Sequence, residues 1–181
     1  MGALYSLRIA TGNDKPGLTA LIEASIRVLG GQFYDSDQVE SSLVHLFGVD
    51  STMIGDGSYF LVEAASGEMA GAGGWSFRKT PFGGDAATGI RDRARRKPGR
   101  DAAIIRAFYV HPEHARKGVG GMLIRAGEEA ATAMGFDRFE LVATLSGIAF
   151  YRAMGYSPME PVPVELPDGT VIDCLRMQKR I

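Results

Sequence analysis

The residues best suited to chemistry lie between Ile104 and Gly121. There an apolar run, IIRAFYV, passes through His111-Pro112-Glu113-His114 into Ala115-Arg116-Lys117-Gly118-Val119-Gly120-Gly121. A strand that turns through glycines into a helix exposes amides with no intrahelical partner at the positive end of the peptide dipoles, which is the chemistry of an anion cradle. Gly118, Gly120 and Gly121 leave those donors uncovered, and Arg116 and Lys117 add charge beside them.

Two familiar phosphate motifs fail on the same residues. A P-loop needs Gly-Lys-Ser/Thr entering the helix, but here Lys117 precedes Gly118 and Val119 follows. A dinucleotide fingerprint needs a third glycine three residues after the second, and counted from Gly120 that place is Leu123. Neither an NTPase nor a nicotinamide-dependent dehydrogenase fits.

The elements that must hold this turn can be read from periodicity. Residues 4–10 are predicted as a strand. Asn13, Asp14 and Pro16 open a helix over 15–29, with Leu18, Leu21, Ile22, Ser25, Ile26 and Leu29 at helical spacing. A second helix begins near Ser36 or Asp37, where Asp37 and Glu40 have capping-box spacing. Strands at 59–65 and 69–77 flank Ser66-Gly67-Glu68 as a hairpin, and Gly71, Gly73 and Gly74 mark a bulge or a close approach in the second. Residues 78–101 lose the pattern and are expected to form a mobile loop carrying Arg91, Arg93, Arg95, Arg96, Lys97 and Arg100. A strand at 102–110, the glycine turn, a helix over 119–134, a strand at 139–144, a short helix at 147–154 and a closing hairpin turning at Pro167-Asp168-Gly169 complete the order. Strand, helix and strand over 102–144 predict one parallel crossover in an otherwise antiparallel sheet.

A length of 181 residues is expected to make one domain spanning 1–181. A net charge of −1 offers no global attraction to nucleic acid or a membrane surface, and neither is expected as a partner. Cys174 is the single cysteine, so no intrachain disulfide forms, and without an amino-terminal apolar run the expected location is cytoplasmic. Gly2 and Ser6 match the loose myristoylation pattern, but residues 4–10 read as an opening strand.

The stretch from Phe108 to Tyr156 resembles the acetyl-coenzyme A core of the GNAT N-acetyltransferase superfamily. The family's (Gln/Arg)-x-x-Gly-x-(Gly/Ala) loop falls on Ala115-Arg116-Lys117-Gly118-Val119-Gly120. Its Phe-Tyr-x-x-x-Gly-(Phe/Tyr) helix falls on Phe150-Tyr151-Arg152-Ala153-Met154-Gly155-Tyr156. Ala115 departs from the preferred Gln or Arg, and Thr144 or Ser146 stands nearest to an asparagine often found before the last helix.

The resemblance implies an α/β fold: a mixed, mostly antiparallel sheet of six to seven strands, helices on both faces, and a splayed parallel pair forming the coenzyme A cleft. It implies acetyl-coenzyme A as cosubstrate, held by Arg116, Lys117, Gly118, Val119, Gly120, Gly121, Thr144 and Ser146. Transfer to a primary amine would proceed without a covalent acetyl-enzyme. A backbone N–H near Phe108, Tyr109 or Val110 would stabilise the oxyanion, and Tyr151 would protonate the leaving thiolate.

Acceptors consistent with this are a small amine or amino-acid derivative, an aminoglycoside-like drug, a protein N-terminus or a lysine side chain, with the chain acting as a monomer or homodimer. Alternatives are a silent acetyl-coenzyme A sensor and a transferase for another acyl group or a hydroxyl acceptor. Glu63, His111 and Glu140 are the polar residues nearest to the predicted cleft strands, but the base stays unassigned. Trp75, Phe77, Phe33 and Tyr34 are aromatics that either line an acceptor pocket or pack in the core. His45, His111 and His114 are too scattered to predict a metal site.

Overall fold

In the computed structural model, which describes residues 4–181, the period-two runs become seven strands. They are β1 (Tyr5–Ile9), β2 (Tyr59–Ala64), β3 (Met69–Ser76), β4 (Ala103–Val110), β5 (Arg138–Thr144), β6 (Ser157–Glu165) and β7 (Val171–Arg180). They form one sheet in the order β1-β2-β3-β4-β5-β7-β6. Every pairing is antiparallel except β4 with β5. Gly2, with its myristoylation pattern, lies outside the described residues.

Five α-helices accompany the sheet: α1 (Lys15–Val28), α2 (Ser36–His45), α3 (Ser51–Gly55), α4 (Val119–Ala133) and α5 (Ile148–Ala153). α4 lays Val119, Leu123, Ile124 and Ala131 on one face of the sheet, over Phe60, Val62, Ile105, Phe139 and Leu141. Leu123 and Ile124 are essentially fully buried, each contributing about 1.5–3 kcal/mol of transfer free energy. α1 covers the other face, where Leu18, Leu21 and Ile22 meet Tyr59, Leu61, Ala72 and Tyr109. A third cluster joins Leu46 beyond α2 to Val164, Ile172 and Cys174 of the closing hairpin, with Phe82, Ala87 and Ile90 packed among them.

The helix signals held with small shifts. α2 is capped by Asp35, whose carboxylate accepts from the Gln38 amide, two residues before the Asp37–Glu40 pair. The sequence reading missed α3, whose start is fixed by Asp50 accepting from the amides of Thr52 and Met53. Its five residues are too few to show a period.

The glycines of β3 have packing reasons. A Cβ on Gly71 would lie 2.6 Å from the Val119 side chain, one on Gly73 2.8 Å from the Phe108 ring, and one on Gly74 2.0 Å from the Ser58 carbonyl. α4 approaches the sheet closely because Gly71 has no side chain. Residues 78–101 carry structure of their own. Phe77 and Thr80 pair by backbone with Arg96 and Asp92, Arg78 forms a two-pronged bond to Asp56, and Arg95 lies over the Phe77 ring. Arg91 reaches Asp50 and Asp85, so part of the basic run is spent inside the fold.

Candidate active site

Parallel pairing of β4 with β5 covers only Ala103↔Phe139 and Ile104↔Glu140. Past that point the strands separate. The cause is on β4: its register with β3 shifts between Ala72 and Gly74, and Ala107 takes φ +60°, the left-handed region that is uncommon for a residue with a Cβ. The extra residue bends β4 away from its parallel neighbour.

Which amides the gap exposes follows from alternation. His111 N–H donates to the Ala70 carbonyl, and Tyr109 stands opposite Ala72, so the backbones of Tyr109 and His111 face β3. Phe108 and Val110, between them, face the gap. The Tyr59 hydroxyl donates to the Ala107 carbonyl at 3.2 Å. Because the two groups of a trans peptide point opposite ways, this bond turns Phe108 N–H away from Tyr59 and the α1-side core.

Of the three residues read from the sequence at this point, the geometry separates Tyr109 from the others. Its amide is taken up by the β3 ladder, and its buried ring packs edge-to-face on Phe47, centroids 6.3 Å apart, in the α1-side core. Phe108 and Val110 place their side chains on the α4 side.

At one end of the gap stands the glycine turn. Arg116 has φ +63° and Gly118 φ +87°, two left-handed residues within three, and such reversals make successive amides converge. α4 then starts at Val119, and no side chain caps it. Its first helical bond runs from the Met122 amide to the Gly118 carbonyl, so the amides of Val119, Gly120 and Gly121 are left for an external anion. Arg116, Lys117 and Gly118 are exposed.

Val119 and Gly120 also do packing work the sequence did not show. The Val119 side chain is buried against Gly71, and a Cβ on Gly120 would sit 3.0 Å from the Phe150 ring. Phe150 is half-buried, packs against the α4-side core and lies under the turn.

At the other end is Tyr151. Its ring packs edge-to-face on Phe108, centroids 6.1 Å apart, and on Tyr156 at 5.9 Å. It also lies over Gly147, where a Cβ would be 3.0 Å from the ring. Burial holds its phenol well above the ordinary tyrosine value, keeping it protonated. Among the described residues its hydroxyl has no hydrogen-bond partner, and it is not one of the buried orphaned atoms, so the oxygen keeps a small accessible area although the residue is buried. Thr144 and Ser146 share a hydrogen bond of 3.0 Å in the β5–α5 turn. The fold thus brings the glycine turn, the Phe108 and Val110 amides and Tyr151 to one gap.

Other sequence-selected residues are engaged elsewhere. Glu63 accepts from Arg8, His111 Nδ1 accepts from the Glu113 amide, and Glu140 stands 3.6 Å from Arg96 beside the closed end of the pair. Glu63 and Glu140 are thus paired with arginines, and His111 is held through one ring nitrogen only. Trp75 is core, edge-to-face on Phe77 and Phe136, and Phe33 is exposed. Tyr34 is a strut: its hydroxyl donates to the Asp173 carbonyl and accepts from the Leu145 amide, tying the α1–α2 connection to the start of the β5–α5 turn.

The fold brings the ligand atoms of Glu68, His111 and Glu113 within 4.8 Å of one another, which spacing alone did not suggest. Glu68 is already engaged by His114 at 3.0 Å, and that bond lowers its carboxyl pKa.

Two residues invisible to motif reading underlie the gap. Asp50 is fully buried and accepts from Arg106 at 2.6 Å, and Arg106 also donates to the carbonyls of Thr80 and Gly83. The pair anchors the 78–85 segment to β4 one residue before the bulge.

Comparison with known proteins gives the family and the fold. Residues 30–156 match the model of the acetyltransferase (GNAT) family. No curated protein matches by sequence. A GCN5-related N-acetyltransferase structure from Rhodopseudomonas palustris superposes with a TM-score of 0.73 at 20% identity, covering 100% of this chain and 98% of that one. The PaiA N-acetyltransferase of Thermoplasma acidophilum, in complex with coenzyme A, gives 0.65 at 13% identity over 100% of both chains. A phosphinothricin acetyltransferase of Sinorhizobium meliloti, in complex with acetyl-coenzyme A, gives 0.63 at 21% identity, covering 99% of this chain and 89% of that one. No helix among the described residues is long and apolar enough to cross a membrane.

Proposed function

The chain belongs to the acetyltransferase (GNAT) family, with acetyl-coenzyme A as cosubstrate, and from that premise we propose that it moves the acetyl group to a primary amine by direct attack. The observation that carries this reading is the β4–β5 gap, which has unpaired amides along one edge, an uncapped helix start at one end and the Tyr151 phenol at the other.

In this reading the amides of Gly118 to Gly121, with Arg116 and Lys117, hold the diphosphate. Val110 offers an N–H and a carbonyl to the pantetheine amides as a neighbouring strand would. Thr144 and Ser146 lie beside that arm.

The reacting amine attacks the thioester carbonyl carbon, and the negative charge that develops on oxygen is met by the Phe108 N–H. That donor is fixed before reaction, so it costs no reorganisation. The carbon–sulfur bond then breaks, and the departing thiolate takes the Tyr151 hydroxyl proton. The proton lost by the new amide nitrogen returns the phenolate to its neutral form through solvent. Burial of the Tyr151 ring keeps the phenol protonated before reaction and makes its phenolate costly, so the proton is passed as the carbon–sulfur bond breaks and is regained at once.

The chain is proposed to work in the cytoplasm as a single domain on a small-molecule or peptide amine. The test is a screen of acetyl-coenzyme A turnover over amines, amino-acid derivatives and peptides, read as released coenzyme A thiol. Burial pushes the Cys174 thiol up to about 12, so the folded protein adds little to that signal. Thiol release dependent on an amine, with the acetylated product seen by mass, is the expected result. Tight acetyl-coenzyme A binding without transfer to any amine would replace this reading with a sensor, and transfer only to hydroxyl acceptors would replace the acceptor class.

A further inference from the structure

The β4 bulge is held from beneath by a hydroxyl that none of the steps above uses, and we propose that Tyr59 is a positioning residue for the oxyanion donor. Its phenol fixes the Ala107 peptide, whose opposite side carries the Phe108 N–H. The inference rests on the acetyl-transfer reading for its kinetic consequence, although its structural half stands apart from it.

Tyr59 lies on β2 and is fully buried in the α1-side core beside Leu18, Ile22, Met53 and Leu61. Phenylalanine would serve the packing of such a site equally well. The hydroxyl instead spans to β4 and donates to the Ala107 carbonyl at 3.2 Å. It remains a donor across the working pH range, since burial raises the phenol well above its ordinary value.

Ala107 has φ +60°, a conformation that a residue with a Cβ disfavours and holds only when its surroundings enforce it. The enforcement comes from two sides. Arg106, one residue earlier, is pinned by Asp50 and the Thr80 carbonyl, and Tyr59 grips the next carbonyl. Without the hydroxyl, the half-buried Ala107 carbonyl loses this donor, and φ can return to the extended side. That rotates the 107–108 peptide and takes Phe108 N–H off its line into the gap. The glycine turn and Val110 are untouched, so the cosubstrate binds as before while the transition state loses its donor geometry.

The experiment compares wild type, Tyr59→Phe and the double variant Tyr59→Phe/Ala107→Gly. Tyr59→Phe is expected to keep the acetyl-coenzyme A dissociation constant within about 2-fold while kcat falls about 10-fold. That loss is smaller than the roughly 100-fold or more that follows complete loss of an oxyanion donor. Glycine adopts the left-handed conformation without the Cβ penalty, so Ala107→Gly in the same background is expected to restore most of kcat.

In parallel, the amide–Hα coupling and carbon shifts of residue 107, measured by NMR on the free protein, are expected to leave left-handed values in Tyr59→Phe and return in the double variant. Wild-type kcat with unchanged residue-107 resonances in Tyr59→Phe overturns the proposal. So does a fall in kcat that follows thermal stability and is not recovered by Ala107→Gly. If the wild-type chain acetylates no acceptor, the reaction reading fails, and the residue-107 resonances still decide whether Tyr59 sets the bulge.

Discussion

Gly118 and Gly169 form a matched pair that isolates the glycine turn from general stability. Both are left-handed, at φ +87° and +85°, and a Cβ added at either would meet nothing within 4 Å. Alanine at either position therefore carries a backbone cost alone, about 1–2 kcal/mol. At Gly169 the turn closes the β6–β7 hairpin and cannot relax without breaking the Leu166–Thr170 bond, so the whole fold bears the cost. A chain of this size loses about 2–4 °C in Tm per kcal/mol, so Gly169→Ala should lower Tm by about 2–8 °C.

The 116–118 turn is exposed and has no side-chain cap. In free Gly118→Ala it relaxes locally and must re-form to converge its amides on a diphosphate. The same 1–2 kcal/mol then appears as affinity, an increase in the coenzyme A dissociation constant of about 5- to 30-fold. Calorimetric titration of coenzyme A into both variants, alongside thermal unfolding, separates the two effects. A Gly118→Ala dissociation constant equal to that of Gly169→Ala would refute the assignment of the turn as the diphosphate cradle.

Tyr151→Phe should retain acetyl-coenzyme A affinity and lose turnover by about 100-fold, the usual contribution of a positioned general acid; unchanged kcat with the best acceptor would remove Tyr151 from the mechanism. Since burial raises the Tyr151 pKa, the wild-type kcat–pH profile should show no alkaline fall from its deprotonation at pH values where an exposed phenol would titrate. Asp50→Ala leaves the buried Arg106 charge without the carboxylate that pairs with it and should cost about 3–5 kcal/mol, seen in thermal unfolding as a drop of about 6–20 °C. The Ser41 hydroxyl holds the Asp168 carboxyl at about 2, below the ordinary 3.8. A depressed carboxyl stabilises the fold fully above its unfolded value and loses that contribution as pH falls toward 2, so wild type and Ser41→Ala should converge in stability between about pH 4 and 2. Parallel unfolding curves across that range would contradict the assignment.

Much of the sheet and the glycine turn was legible because local rules decide them. Gly118 opens a helix after the turn that follows β4, β3 carries glycines where α4 and Ser58 press in, and the apolar period of 119–134 survives almost unchanged in α4. What sequence spacing could not reveal depends on contacts between distant residues. Asp50 and Arg106 are 56 positions apart, Tyr59 and Ala107 are 48 apart, and Tyr34 reaches Leu145 across 111. No local pattern distinguishes Tyr59 from any other strand tyrosine, or marks Ala107 as the residue with positive φ. The basic run misleads for a related reason. Asp50 and Asp85, which neutralise Arg91, lie outside it, so charge counted along the chain overstates what is free at the surface. Phe108, Tyr109 and Val110 looked equivalent by composition, and only the ladder between β3 and β4 shows which of their amides face the gap.

The central claim is that the amides from Gly118 to Gly121 receive the diphosphate of a coenzyme A thioester. A crystal structure of the chain grown with acetyl-coenzyme A tests it most directly. Diphosphate oxygens at hydrogen-bond distance from those amides, with the thioester carbonyl at the Phe108 N–H, are the expected result. A diphosphate bound elsewhere on the molecule, with that turn unengaged, would contradict it.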